Sequence, residues 1–377
     1  NINKIMKKKN IHNIIPFAKP VIQTQETISL IKRVLDSNFP NEGKFTKLFE
    51  KKLSILLKTK YVVTATSGTI AVFLALKAVG IKKNDEVIVP DLTFQATANA
   101  VMLTGAKPIL VDIDKKNLLI DEKSLIKKIN KKTKAIIPVH LSGRGSNIDK
   151  IMKIAKTKKL YVIEDAAEAF MSKRKNKYLG TFGDAGCFSF APNKIITTGQ
   201  GGLVVTNNVT IYKKLIKLKD QGRVGPTTGG EDVYDTVGYN FKFTNLQSAL
   251  GLAQLRKLNN RINILKNNYK FYEKNLKQNK NIRLFGFDLK NGELPLWIDA
   301  YCLKRNKLFN FLRKQGINSR YFWHPLNVTK PFKQPFSGLD NSKFYYGKLM
   351  WLPSSLTLKK RDLTKICNAI NKFYSYN

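Results

Sequence analysis

The sequence has few cysteines, few histidines and no long apolar run. Its three cysteines, Cys187, Cys302 and Cys367, lie far apart and form no CxxC spacing. This distribution argues against a disulfide framework and predicts a reducing compartment. The three histidines are equally scattered, which argues against a metal site. No apolar run approaches the ~18 residues of a membrane span, and no apolar region follows the basic start. We therefore expect a cytoplasmic protein without membrane contact.

Arginine and acidic residues are also scarce. The chain has 67 Lys+Arg against 26 Asp+Glu, a formal charge of +41, yet only 11 of the basic residues are arginine. Arginine is the residue that reads bases and binds phosphate through two hydrogen bonds, so its scarcity argues against specific nucleic-acid binding. We interpret the surplus lysines as solvated surface, with nonspecific adhesion to polyanions as a side effect. A non-catalytic, basic nucleic-acid-binding protein remains the distant alternative.

What is present is a regular alternation of short β-branched runs and helical stretches. Seven such runs occur, at 61–63, 86–89, 109–113, 135–139, 160–165, 187–190 and 203–206. The alternation is typical of parallel strands joined by helices, and predicts an α/β fold with a seven-stranded, mostly parallel sheet. Apolar spacing predicts helices over 69–81 and 96–105 and one long helix over 245–276.

The chain divides into three predicted segments. Residues 1–15 form a basic lead-in, residues 16–250 a large α/β domain, and residues 251–377 a smaller C-terminal α+β domain. The second boundary is placed where the strand–helix alternation stops. Nothing repeats at 20–50 residues, which excludes a solenoid.

Two features of the large domain could bind a ligand. The Ser67-Gly68-Thr69 turn joins a predicted strand to a helix, where unpaired amides and the helix dipole suit a phosphate. A plain helix cap explains the same residues. Asp165 ends the run 160–165 at the carboxyl edge of the sheet, where ligands of open α/β sheets collect. It could hold a protonated ring nitrogen there or cap the following helix.

A third feature is a lysine that follows a buried strand. Pro192 and Asn193 break the strand, so Lys194 leaves the sheet on a turn. A lysine faces solvent by default, but the chain order of this turn, the acid and the Ser-Gly-Thr turn changes the interpretation. The three together are the anchors that a pyridoxal phosphate site needs. The lysine supplies a Schiff base, the acid holds the ring nitrogen, and hydroxyls and amides hold the phosphate.

The motifs around these residues resemble those of a known family. The stretches are SGTIAVFLALKAVG, DEVIVPDLTFQATANAVMLTGAKPILVDID, TKAIIPVHLSG, VIEDAAEAF, LGTFGDAGCFSFAPNKIITTGQGGLVVTN and VGYNFKFTNLQSALGLAQL. Roughly from Phe17 to Leu356, the sequence resembles the DegT/DnrJ/EryC1/StrS nucleotide-sugar aminotransferases, which are pyridoxal phosphate enzymes of fold type I. It is most similar to the C4 aminotransferases of nucleotide-linked 4-keto-6-deoxysugars, such as the perosamine synthases.

The resemblance implies a role for each matching residue. Lys194 matches the lysine that forms the Schiff base and moves the proton, and Asp165 matches the acid on the ring nitrogen. The implied cofactor contacts are Ser67, Gly68, Thr69 and Ser189 at the phosphate, Phe94 stacked on the ring, Glu168 beside the ring oxygen, and Asn240 reaching the phosphate from the neighbouring subunit. The substrate candidates are Arg320, His324 and Gln200, whereas His140 is interpreted as structural.

The resemblance also implies partners and a reaction. It implies a homodimer with shared active sites, a nucleotide-sugar substrate, L-glutamate as amino donor and a place in O-antigen or other polysaccharide biosynthesis. Lys194 argues for transamination, because related 3-dehydratases have histidine there. Gln200, Gln221 and Lys242 depart from the commonest residues at positions that concern sugar and donor recognition, as does Glu168 at its own position. Transamination at C3 of a sugar, or of a cyclitol ketone, remains the alternative.

Overall fold

The computed structural model describes residues 14–225 and 227–375. Residues 1–13, most of the predicted lead-in, lie outside the described part. Ile15 is buried and forms a β-bridge with Ile317, far along the chain. The division at residue 250 stays a prediction.

A seven-stranded sheet forms the centre of the first part of the chain. Its strands are β1 (Tyr61–Ala65), β2 (Glu86–Pro90), β3 (Lys107–Val111), β4 (Thr133–Ile136), β5 (Tyr161–Asp165), β8 (Ala185–Ser189) and β9 (Gly202–Thr206). Two short strands between β5 and β8, β6 (Lys173–Arg174) and β7 (Lys177–Tyr178), form a separate hairpin. The spatial order is β1-β9-β8-β5-β4-β2-β3. Only β9 runs antiparallel to its neighbours. The predicted α/β fold and its seven strands are confirmed.

The carboxyl ends of the other six strands meet at one edge of the sheet, because these strands all point the same way. The segments that follow β1, β2, β5 and β8 begin at Thr66, Asp91, Ala166 and Phe190. In open α/β sheets this edge is where ligands bind.

A second sheet follows, with shorter strands. The first two of the remaining strands, β10 (Arg223–Val224) and β11 (Val233–Tyr234), form a hairpin. The other four are β12 (Ile282–Leu284), β13 (Ile298–Cys302), β14 (Arg320–Tyr321) and β15 (Leu349–Leu352). The last four form an antiparallel sheet in the order β12-β13-β15-β14. An apolar core shared by both sheets joins Phe17, Trp297 and Trp351 to Phe188 and Phe190 of the first part.

Twelve helices surround the two sheets in the described residues. They are α1 (Thr24–Asp36), α2 (Lys44–Leu57), α3 (Gly68–Ala78), α4 (Gln95–Leu103), α5 (Glu122–Lys128), α6 (Ile148–Lys158), α7 (Val209–Lys219), α8 (Asn245–Leu255), α9 (Leu258–Leu276), α10 (Arg305–Lys314), α11 (Asp340–Tyr345) and α12 (Lys360–Ser375). None of these helices is long and apolar enough to cross a membrane.

The long helix predicted over 245–276 is wrong, because the chain breaks between α8 and α9. No glycine or proline marks the break at Arg256 and Lys257. Instead, α8 packs against α1 and α2, whereas α9 packs against α12. The Arg261 guanidinium also donates to the carbonyls of Ile195 (2.6 Å) and Val21 (2.7 Å), which fixes the start of α9. These contacts are distant in sequence, so apolar spacing could not reveal them.

Two buried carboxylates join the ends of β2 and β3 to the later part of the chain. Asp91 Oδ1 accepts the Asn327 N–H at 2.8 Å. Asp112 accepts the N–H groups of Asn341 and Ser342, both at 2.9 Å. Burial raises the pKa of Asp91 to about 6, although the hydrogen bond from Asn327 opposes the change.

The raised pKa of Asp91 predicts a pH-dependent stability. Between pH 3.8 and about 6 the folded protein holds a proton that the unfolded chain has lost, so the free energy of unfolding falls as pH rises through this window. The amide of Asp91→Asn does not titrate, so this variant should not show the fall. From acid pH to pH 8, its free energy of unfolding should decrease by up to about 3 kcal/mol less than that of the parent protein. Urea unfolding at a series of pH values measures the difference, with the exposed Asp36→Asn as control. Parallel pH curves for Asp91→Asn and the parent would contradict the prediction.

Candidate active site

A cavity of ≈ 360 Å³ lies at the carboxyl edge of the large sheet, where the second sheet faces it. It brings together most of the residues predicted for the site. Those lining it are Ser67, Gly68, Thr69, Phe94, Asp165, Glu168, Ser189, Lys194, Gln200 and Arg320. Asn240 and His324 do not line it.

Lys194 is largely shielded from solvent, with 11% of its side chain exposed. It follows β8 on a turn in which its N–H donates to the Ala191 carbonyl at 3.1 Å. Its Nζ lies 3.3 Å from Glu168 Oε1 and 4.8 Å from the ring centroid of Trp297. Lysines are rarely buried without a partner. The solvent-facing alternative for Lys194 is therefore wrong, and its amine lies within the cavity.

Glu168 is the ionic partner of Lys194. Its Oε1 faces the lysine, and its Oε2 accepts the Ser142 N–H at 2.8 Å. Burial raises the pKa of this carboxyl, whereas the Lys194 charge and the Ser142 hydrogen bond lower it. The Glu168 carboxyl is therefore set by two opposing influences, burial and its cationic neighbour.

Asp165 faces the same cavity from the end of β5. Its Oδ2 accepts the Thr97 hydroxyl at 2.7 Å, and its Oδ1 accepts the Ala167 N–H at 3.1 Å. Turns rather than a helix follow this residue, so the helix-cap alternative is wrong. Thr97, in the first turn of α4, was not predicted, because only the fold brings it to Asp165.

The Ser67-Gly68-Thr69 turn begins α3. The Ser67 hydroxyl accepts the Ile70 N–H at 3.2 Å, so the helix-cap interpretation is correct. It does not compete with phosphate binding, because the Gly68 and Thr69 amides precede the first helical hydrogen bond, from Ala71 to Ser67. A Cβ on Gly68 would lie 2.9 Å from the Ser189 Cβ. Only glycine therefore lets the helix start approach the Ser189 hydroxyl so closely.

Aromatic rings form the wall opposite Lys194. The chain has three tryptophans, Trp297, Trp323 and Trp351, and all of them line the cavity. Phe94 is 55% exposed, and its ring centroid lies 5.3 Å from that of Trp323. A core position for Phe94 is thereby excluded. The tryptophans were not predicted as site residues, although their small number was a signal.

The remaining predicted residues differ in their placement. Arg320 is exposed at the cavity, with its guanidinium 4.9 Å from the Phe17 ring centroid. Gln200 is also exposed, and its carbonyl accepts the Gln247 side chain at 2.9 Å. His324 lies outside the cavity, 5.3 Å from the Tyr346 ring. Asn240 lies in an exposed segment, where its backbone forms a bridge with Asp220.

His140 is part of a buried network and not of the cavity. Its Nδ1 accepts the Ser146 N–H at 3.1 Å, so Nε2 carries the proton and donates to Glu164 Oε2 at 2.8 Å. Glu164 also accepts the N–H groups of Gly180 and Phe182. The structural interpretation of His140 is consistent with these contacts. The described residues offer no group of three or more His, Cys, Asp or Glu side chains that could hold a metal.

The donor set of the cavity fits pyridoxal phosphate. A buried amine, a strand-end carboxylate and a helix start with unpaired amides are the groups that would bind its aldehyde, ring nitrogen and phosphate. The space that Gly68 leaves beside Ser189 would be closed by any Cβ, as expected of a close phosphate contact.

Comparisons with known proteins agree with this chemistry. The model of the DegT/DnrJ/EryC1/StrS aminotransferase family matches residues 21–371. The GDP-perosamine synthase of Escherichia coli O157:H7 is 36% identical over 366 residues, 96% of this chain and 99% of that protein. The GDP-perosamine synthase of Vibrio cholerae is 32% identical over 372 residues, 96% of this chain and 100% of that protein.

A solved structure supports the same assignment. Helicobacter pylori PseC, an aminotransferase involved in the biosynthesis of pseudoaminic acid, matches with a TM-score of 0.90 and 26% identity. The match covers 97% of this chain and 100% of that one. The protein therefore belongs to the DegT/DnrJ/EryC1/StrS aminotransferase family, whose members are pyridoxal phosphate-dependent sugar aminotransferases.

Proposed function

We propose that the protein transfers an amino group from L-glutamate to C4 of a nucleotide-linked 4-keto-6-deoxyhexose. The observation that carries the proposal is the placement of the Lys194–Glu168 pair and the Asp165 carboxylate on one cavity. The likeness to GDP-perosamine synthases, at 36% and 32% identity, supports the nucleotide-sugar substrate.

Different residues of the cavity would bind different parts of the cofactor. Bound pyridoxal phosphate supplies an aldehyde that condenses with amines and a ring that draws electrons from the carbon of the bound amine. We propose that the Gly68 and Thr69 amides and the Ser189 hydroxyl bind its phosphate. Lys194 Nζ binds its aldehyde carbon as a Schiff base, and Asp165 binds its ring nitrogen.

Lys194 is also the proposed proton carrier. When it is not bound to the cofactor, its amine would hold or release a proton in a pocket shielded by Trp297. Glu168 Oε1 lies 3.3 Å from Nζ and would take up or return that proton. Burial raises the pKa of the Glu168 carboxyl, which favours its taking up a proton.

Asp165 and Thr97 act on the ring. An anionic carboxylate favours the protonated ring nitrogen, and this charge makes the ring an electron acceptor. The Thr97 hydroxyl and the Ala167 N–H both donate to Asp165, so they fix the direction of its carboxylate.

The open side of the cavity is the proposed sugar-nucleotide entrance. Phe94, Trp323 and Arg320 line it, so apolar rings and one cation face the solvent there. A diphosphate-linked sugar presents both apolar ring faces and negative charge, which these side chains match. Arg320 is accordingly the proposed substrate contact, with Gln200 beside it.

We also propose a homodimer with shared sites in the cytoplasm. Asn240 lies outside its own cavity, in a segment where Val233, Tyr234 and Val237 are 63%, 53% and 79% exposed. Such apolar exposure is typical of a surface that another copy covers. A second copy would then deliver Asn240 to the phosphate. Three buried, unpaired cysteines support the reducing compartment.

The role of Asp165 predicts a separation of cofactor binding from turnover. Asp165→Asn keeps the hydrogen-bond acceptor for Thr97 but removes the charge, so the cofactor should still bind through Lys194. Turnover should fall about 100-fold or more, the size of losing one electrostatic partner in a preorganised site. Thr97→Val, which keeps the charge, should lose less. Cofactor absorbance and steady-state rates measure the two effects. An unchanged kcat in Asp165→Asn would assign the ring nitrogen to another group.

The position of the new amine tests the proposed reaction. Purified protein with pyridoxal phosphate and L-glutamate is offered GDP-, UDP- and dTDP-linked 4-keto-6-deoxyhexoses, and the product is examined by NMR. We expect an amine at C4 with one of the three nucleotides, and no product with Lys194→Ala. Amination of a 3-keto sugar or a cyclitol ketone, with no C4 product, would replace this proposal with the alternative. Substitution of glutamate by another donor at higher rate would contradict the donor assignment.

A further inference from the structure

A chain of hydrogen bonds leads from Lys194 into the antiparallel sheet. Glu168 contacts Lys194 through Oε1 and accepts the Ser142 N–H through Oε2, at 3.3 and 2.8 Å. The Ser142 hydroxyl in turn donates to Asp299 Oδ1 at 2.8 Å. Ser142 and Asp299 are completely buried. Water therefore does not compete for any bond beyond Glu168.

Asp299 is held from its other side by an ion pair. Its Oδ2 pairs with Nη2 of Arg144, and the Arg144 Nε donates to the Asn117 carbonyl at 3.1 Å. Arg144 is 2% exposed, so this pair is desolvated as well. Asp299 lies in β13, whereas Ser142 and Arg144 lie in the loop after β4. The path thus crosses from the antiparallel sheet to the large sheet.

The turn that holds Ser142 is tightly constrained. Ser142 has φ 54°, in the left-handed region that serine rarely occupies. A Cβ on the neighbouring Gly143 would lie 1.9 Å from the Leu294 carbonyl oxygen. The Leu296 N–H also donates to the Ser142 carbonyl at 3.0 Å. A strained residue of this kind keeps its conformation only while its contacts enforce it.

We propose that Asp299 is a positioning residue for the reaction: through the Ser142 hydroxyl it fixes the N–H that holds the Glu168 carboxylate against Lys194. No residue of this path beyond Glu168 lines the cavity, so Asp299 acts through Ser142 and touches no reactant. The inference rests on the proposed role of Lys194.

The consequence of breaking this path follows from the charges around Glu168. The groups that act on its carboxyl are Lys194, the Ser142 N–H and Asp299, whose own charge Arg144 compensates. Without the Ser142–Asp299 bond the turn relaxes, and the carboxylate loses part of the hydrogen bond at Oε2. Its pKa then rises further, because a buried anion with fewer donors is less stable. The nitrogen on Lys194 loses its anionic neighbour and gives up its proton at lower pH.

Ser142→Ala tests the path most sharply, because it removes the hydroxyl and leaves the Asp299–Arg144 ion pair in place. Asp112→Asn is the matched control: Asp112 is also a buried acid that joins the two parts of the chain, but its hydrogen bonds run to Asn341 and Ser342 and not to Glu168. Each holoenzyme is titrated with pH while the visible absorbance of the lysine-bound cofactor is recorded.

We expect Ser142→Ala to lower the midpoint of this titration by about one pH unit, as for the loss of one hydrogen bond to a charged group. Asp112→Asn should leave it unchanged. An unchanged midpoint in Ser142→Ala overturns the inference, and so does an equal shift in Asp112→Asn. A parent protein that shows no visible band overturns the proposed role of Lys194 instead, and this inference falls with it.

Discussion

The structure depends on one buried ionic contact, the Lys194–Glu168 pair. A charged lysine amine that is removed from water needs an ionic partner, because desolvation disfavours its charge. Glu168 is the partner: burial raises the pKa of its carboxyl, whereas the Lys194 charge and the Ser142 N–H act against this rise. Lys219 shows the contrast: only 2% of its side chain is exposed, against 11% for Lys194, but its Nζ bonds Glu42 at 2.6 Å and it does not line the cavity. Of these two lysines, only Lys194 lines the cavity.

The fold creates this contact by bringing separate strand ends to one edge. Asp165 ends β5 and Lys194 follows β8, and both strands are parallel neighbours in the sheet. The antiparallel sheet then closes the cavity with tryptophan rings and contributes Asp299 to the support of Glu168. The two sheets contribute different groups to the cavity. The large sheet presents reactive groups at its edge, and the smaller one excludes water and fixes their direction.

Much of this arrangement was predictable from the sequence, because local patterns encode it. β-branched runs separated by helical spacing identified all seven strands, and the turn after each strand identified Ser67, Asp165 and Lys194. The rest depends on contacts between distant segments. Thr97 meets Asp165 only after α4 packs, and the break before α9 follows from Arg261 binding carbonyls far along the chain. The predicted phosphate contact of Asn240 stays a prediction, because this residue does not line the cavity of its own chain.

Lys194, and no other lysine, is the residue proposed to bind the cofactor. Purified protein is incubated with pyridoxal phosphate, reduced with borohydride so that the Schiff base becomes a stable amine, and digested for peptide mass spectrometry. We expect the reduced cofactor mass on the peptide that contains Lys194, and its loss in Lys194→Ala but not in Lys219→Ala. Stoichiometric labelling of a different lysine in the parent protein, with Lys194 unmodified, would exclude this role for Lys194.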